Sequence, residues 1–472
     1  MIGVRGLRSS VVFSHKRWLA TEAYPQLLRD YLKDCLYAEN EGYFSKHAKI
    51  GPDNEGNQTP LEFPSLFDEM DYRLKVNELY KKGHGAWLTP VEIFRPWYGK
   101  AIAKHILNKC YSIGSGPLEI FEIGGGSGTC MVDVINHIQE TEPKLLKTMK
   151  YTILEISQQL AAIQRKRAVN ESLPAGCWEI LNLDGLAIDR ILSNSGNASV
   201  IALEVLDNLP HDKVIFDSSG EPWQCVVTPR SQQEAKEGWK TSRELLNPIL
   251  FWGESKTIES DTLAERFEKV SDDLILHCLN ILEDKGLYRK GKYSGNLDYQ
   301  TWNQALHFIR RKLLRAENCS FQWTKTGVPT ASSAVGAKMG SVYLPTGQIR
   351  LLEMLARCIP DHNIVLADFD AVPGSVVPGA NGPAVQVTTQ GVIQEMDNYL
   401  IAKPGSADIF FPTDFMALSR AYERIVGRPA SVVSPGEFFS DFDDVIKGST
   451  THSGYCPLVE DYVNTAFLVT NH

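Results

Sequence analysis

Residues 119–128 read Glu-Ile-Phe-Glu-Ile-Gly-Gly-Gly-Ser-Gly: a short apolar run carrying Glu122, then glycines at 124, 126 and 128. A tight turn after a parallel strand uses glycine for two reasons. It permits backbone angles closed to other residues, and it leaves the main chain bare enough for a ligand to approach. The stretch therefore predicts a strand, a ligand-binding turn and a helix, the opening unit of a doubly wound α/β sheet.

The residues that follow extend this unit. A helix is expected over Cys130 to His137. Tyr151-Thr152-Ile153-Leu154 then reads as a second buried strand, and it ends in Glu155, about 27 residues past the last glycine. An acid at the tip of the second strand is placed to accept both hydroxyls of a ribose. The dinucleotide fingerprint puts its third glycine one place later, where this chain has Thr129, so a nicotinamide cofactor fits poorly. A carboxylate just before the turn would repel a pyrophosphate and attract a cation. S-adenosylmethionine, with an ammonium, a sulfonium and no phosphate, matches this charge pattern. Glu122 and Gly124, Gly126 and Gly128 are its candidate partners, Glu155 its ribose ligand, and Asp184, after Glu179-Ile180-Leu181-Asn182-Leu183, a candidate near the adenine.

A further buried-strand run, Ser199-Val200-Ile201-Ala202-Leu203, delivers Glu204, Asp207, Asn208, Pro210 and His211 to the same sheet edge. Two carboxylates three residues apart can hold a guanidinium, whose planar fork pairs bidentately with carboxylates. Glu204 and Asp207 are therefore the candidate catalytic residues. His211, beside Asp212, reads as a surface residue.

Together the runs Phe121-Glu122-Ile123-Gly124-Gly125-Gly126-Ser127-Gly128-Thr129, Leu154-Glu155-Ile156-Ser157 and Glu204-Val205-Leu206-Asp207-Asn208-Leu209-Pro210 resemble the MidA family of class I methyltransferases. Glu41-Gly42-Tyr43-Phe44, Thr89 with Glu92, Val365-Leu366-Ala367-Asp368-Phe369 and Gly405-Ser406-Ala407-Asp408-Ile409 extend the resemblance over most of residues 25–420. It implies S-adenosylmethionine as donor and symmetric dimethylation of an arginine in a core subunit of respiratory complex I. It also implies a front segment, carrying Thr89 and Glu92, that folds over the cofactor. The chain departs from the family's pattern at Gly125 and Ser127 in the turn, at Gly85-Ala86-Trp87 and Pro90-Val91, and at Val205 and Pro210-His211 in the acceptor loop.

At 472 residues, with 43% hydrophobic and 22% charged side chains, the chain has ample material for a core. A net charge of −9 disfavours a large phosphate-binding face, so nucleic acid is not the expected partner. Nine cysteines without a Cys-x-x-Cys pair, and histidines without ligand spacing, predict no metal. Residues 1–21 carry Arg5, Arg8, Lys16 and Arg17 and no acid before Glu22, the composition of a mitochondrial presequence. No apolar run approaches the roughly 18 residues of a bilayer span. The expected location is the mitochondrial matrix.

The organisation read from the sequence is a presequence (1–20), a helical front segment (21–114), an S-adenosylmethionine-binding Rossmann-like core (115–228), a helical insertion and linker (229–340), and a C-terminal part completing the sheet and substrate region (341–472). Gly51 to Asn57 reads as a loop. Leu263, Phe267, Val270, Leu274, Cys278 and Ile281 fall at helical spacing from Ser260-Asp261 to Gly286, and a second helix is expected over Tyr299 to Arg315. Residues 318–340 read as a linker or lid, and Pro373 to Pro383 as a loop.

Two functional readings follow. One is a mitochondrial protein arginine methyltransferase acting on a complex I subunit or assembly intermediate. The other is a methyltransferase-shaped scaffold without turnover, serving a respiratory complex or the mitochondrial ribosome. A homodimer is compatible with either.

Overall fold

Seven strands pair into one sheet, and the inner ones read as near-continuous apolar runs because both of their faces are covered. The computed structural model describes residues 25–46, 60–82, 88–113, 116–193, 195–217, 220–230, 238–245, 258–283, 341–372, 377, 381–389 and 392–470. The sheet strands are β1 (Glu119–Ile123), β2 (Lys150–Glu155), β3 (Trp178–Asn182), β4 (Ala198–Leu203), β5 (His362–Phe369), β6 (Ala430–Val433) and β7 (Thr465–Thr470). Their order is β6-β7-β5-β4-β1-β2-β3. β7 runs antiparallel to β5 and β6, while β5, β4, β1, β2 and β3 pair in parallel. This is the expected Rossmann-like α/β sheet. Its strand order reverses between β1 and β4, where open α/β sheets bind ligands.

Alternation places the core on both faces. Ile120, Ile153, Ile201 and Val365 join one apolar cluster, with the helices Trp97–Ile113 and Thr129–Thr141. Phe121, Leu154, Val200 and Leu366 join the other, with Thr346–Cys358 and Phe415–Val426. The predicted Cys130 to His137 helix lies within Thr129–Thr141.

A second sheet is antiparallel throughout and is built from Gln26–Leu27, Asp212–Phe216, Pro222–Pro229, Leu263–Lys269 and Ser341–Leu344. Asp212–Phe216 and all but the last residue of Pro222–Pro229, read with the core half, thus belong to a different sheet. The continuous helix expected from residue 260 to 286 is corrected as well: Leu263–Lys269 is a strand, and the helix runs only over Asp273–Glu283. Leu263, Phe267 and Val270 satisfy a helical period, but Leu263, Glu265 and Phe267 also alternate. Glu265 hides that alternation because its carboxylate is fully buried against Lys213 Nζ at 2.9 Å.

The third sheet is a ribbon of Ala384–Thr389, Val392–Glu395 and Asp408–Phe410. The front segment carries the helix Leu28–Tyr37. The presequence, the Gly51 to Asn57 loop, the Tyr299 to Arg315 helix and the 318–340 linker lie outside the described residues, as does most of Pro373 to Pro383.

Candidate active site at the carboxyl edge of the sheet

In-register parallel pairing brings the ends of β1, β2 and β4 together, because Ile123 lies opposite both Leu154 and Ala202. Gly124, Glu155 and Glu204 therefore meet at one edge, around a cavity of about 490 Å³. Of the residues expected from the sequence, Glu122, Gly124, Gly126, Glu155, Asp184, Thr89, Glu92, Glu204 and Asp207 all line it.

The glycine turn is left-handed at Gly124 (φ +66°) and Gly126 (φ +51°). A Cβ on Gly124 would lie 2.8 Å from Val205 Cγ2, so the glycine turn and the loop after β4 pack too closely there for a side chain. Gly128 (φ +86°) caps the helix Thr129–Thr141 and does not line the cavity. It serves the turn.

Glu122 is buried and accepts the Tyr151 hydroxyl at 3.0 Å. Burial pushes its carboxyl up to about 8. Glu155 accepts the Ser157 amide at 2.8 Å and Gln164 Nε2 at 2.9 Å, and burial raises it to about 7. Gln164, which the sequence reading missed, also donates to the Gly126 carbonyl at 3.0 Å. It ties the glycine turn to Glu155.

Glu92 sits at the other end of the same turn. Its Oε1 receives the hydroxyls of Ser127 and Thr129, and Arg167 Nη1 lies 3.4 Å away. Its Oε2 is buried with no partner. Thr89 stands at the N-cap position of the short helical turn Pro90–Ile93 that carries Glu92, and its side chain makes no capping bond. Asp184 accepts the Leu186 amide at 2.9 Å and pairs with Lys33 Nζ at 2.6 Å, which brings the front helix to the rim.

On the β4 side, Glu204 takes a left-handed backbone (φ +53°) that non-glycine residues rarely adopt. Burial, then Asp368, pushes its carboxyl up to about 8. Asp207 is buried and its Oδ1 has no partner. Its amide donates to Asp368 Oδ2 at 3.1 Å. Burial, then repulsion from Asp368, Asp408 and Glu204, holds Asp207 well above the usual carboxylate range. His211 corrects its expectation: it is buried, stacked on Phe411 at 4.0 Å, and burial lowers its ring to about 4, so it is neutral.

Seven carboxylates line the cavity and Lys33 is the one basic residue among its described lining. Such a wall repels phosphate and favours a cation.

The chain matches a family model over residues 101–433, described as "Putative S-adenosyl-L-methionine-dependent methyltransferase". The chain belongs to this family. Its donor is S-adenosylmethionine, whose cationic groups suit the acidic wall. Among solved structures, a Burkholderia thailandensis protein bound to S-adenosyl-homocysteine matches with a TM-score of 0.51 and 11% identity, covering 96% of this chain and 90% of that one. This likeness supports the fold. A second, native structure of a Burkholderia thailandensis protein matches at TM-score 0.48 and 11% identity, over 96% and 89% of the two chains. No curated protein matches. Among the described residues, no His, Cys, Asp and Glu group is placed to hold a metal ion, and no helix is long and apolar enough to cross a membrane.

Proposed function

We propose that this methyltransferase is a protein arginine N-methyltransferase of the mitochondrial matrix, acting on a complex I subunit or assembly intermediate. The observation that carries the acceptor class is the buried, partnerless Oδ1 of Asp207 on a cavity wall shared with Glu204. The basic, acid-free residues 1–21 support the location, and the family resemblance supports the partner.

The donor supplies a methyl carbon made electrophilic by its sulfonium. A guanidinium nitrogen forms the new N–C bond as the C–S bond breaks and its electron pair returns to sulfur, and the nitrogen then loses a proton. What the chain contributes is placement and charge. Glu204 and Asp207 orient the guanidinium. The arriving cation favours their ionised forms, and a carboxylate beside the nitrogen is then placed to take the proton that it releases.

The test is incubation of the chain with methyl-labelled donor and matrix protein from cells lacking it, with peptide mass spectrometry of the labelled products. Label on arginine that Asp207→Asn abolishes supports the reading. Label on another residue type, or on RNA, overturns it. Donor binding without any transferred label favours the scaffold.

A further inference from the structure

Asp408 opens the ribbon strand Asp408–Phe410, opposite Gln386, and both residues line the cavity. Three hydrogen bonds tie this strand to the loop after β4. Asn208 Nδ2 donates to Asp408 Oδ1 at 2.9 Å and to the Ile409 carbonyl at 3.2 Å, and the Phe411 amide donates to the Asp207 carbonyl at 2.8 Å. A carboxylate some 200 positions away in sequence is thereby held beside Asp207. The two repel each other, and burial holds Asp408 up at about 7.

Gathering such acids opposes folding unless a ligand compensates them. Asp207 Oδ1 has no partner, and the only basic residue in the described lining, Lys33, is engaged by Asp184. Phe410, two residues beyond Asp408, and Phe369, beside Asp368, also line the cavity, and a guanidinium stacks on aromatic rings more readily than an ammonium does.

We propose that Asp408 forms the ribbon-side wall of the acceptor subsite, binding the same guanidinium that Glu204 and Asp207 meet from the sheet edge. This rests on the arginine reading above. Carboxylates on two separate elements suit the several donors of a guanidinium fork better than a single ammonium.

The test is calorimetric titration of the full chain, saturated with S-adenosyl-homocysteine, with the blocked tripeptide acetyl-Gly-Arg-Gly-amide and its lysine counterpart. Asp408→Asn should weaken the arginine peptide about ten-fold, the loss of one charge-assisted contact, while S-adenosyl-homocysteine affinity stays at the wild-type level. Asp408→Glu should recover part of the loss, and the lysine peptide should bind more weakly than the arginine one. If Asp408→Asn keeps wild-type peptide affinity while Asp207→Asn loses it, Asp408 is structural only and the arginine reading stands without it. An Asp408→Asn protein that loses S-adenosyl-homocysteine affinity overturns the acceptor assignment. A wild-type complex that ignores the arginine peptide overturns both.

Discussion

Donor binding should release protons and weaken as the solution becomes acidic. Glu155 and Glu122 are raised to about 7 and about 8 by burial, so near neutral pH much of each population is protonated without ligand. A ribose diol and a cationic group both favour the ionised forms. From pH 7 to pH 6 the ionised fraction falls about five-fold for Glu155 and about nine-fold for Glu122, by titration with the one-unit scale of about 1.4 kcal/mol. Affinity should therefore fall about five-fold if only Glu155 must ionise, and about fifty-fold if both must. This window lies below the ordinary range of the donor's own amino group, about 7.7–8.0, so the ligand's charge is constant across it. The assay is calorimetry at pH 6.0, 6.5 and 7.0 in two buffers of different ionisation heat, which counts protons directly. Glu155→Gln should bind more weakly throughout and lose the Glu155 part of the slope. Proton uptake on binding, or an affinity flat across the window, would show that neither carboxyl ionises when the donor binds.

Three further outcomes follow from the same structure. Without donor, Glu122, Glu155, Glu204 and Asp408 carry folded-state pKa values above those of an unfolded chain, so the native state binds more protons. Their contribution is fully present below about pH 4 and is lost as pH rises through about 8, so urea midpoints should fall over that range and saturating donor should flatten the fall. Gly124→Ala places a side chain in a left-handed backbone, worth about 1–2 kcal/mol, and 2.8 Å from Val205 Cγ2; a lowered melting temperature with weakened donor binding is expected, and wild-type values for both would contradict the turn's assignment. Glu265→Ala strands the buried Lys213 ammonium and should cost about 3–5 kcal/mol in denaturant unfolding, whereas a loss under 1 kcal/mol would show that the pair is dispensable.

Much of the cofactor side was legible because local rules decide it. An apolar run of strand length, a glycine turn and an acid at the next strand's tip lie within about forty residues, and the register of β1, β2 and β4 brings their ends together. Three kinds of feature were hidden. Gln164, Lys33 and Arg167 reach the site from helix faces whose spacing carries no mark of a binding role. Asp408 enters through a ribbon formed late in the chain, so its place beside Asn208 is set by tertiary pairing. The strand at 263–269 was masked by a charged residue at an inward position, since Glu265 is buried only because Lys213 meets it.

An acidic cavity that holds S-adenosylmethionine with Glu155 on its ribose should show itself in calorimetric titration of the full chain with S-adenosylmethionine, beside Glu155→Ala. One-to-one micromolar binding is expected, weakened by about 2–4 kcal/mol in the variant through the loss of two hydrogen bonds to a charged acceptor. A folded wild-type protein that does not bind, or a variant that binds as tightly as wild type, would contradict it.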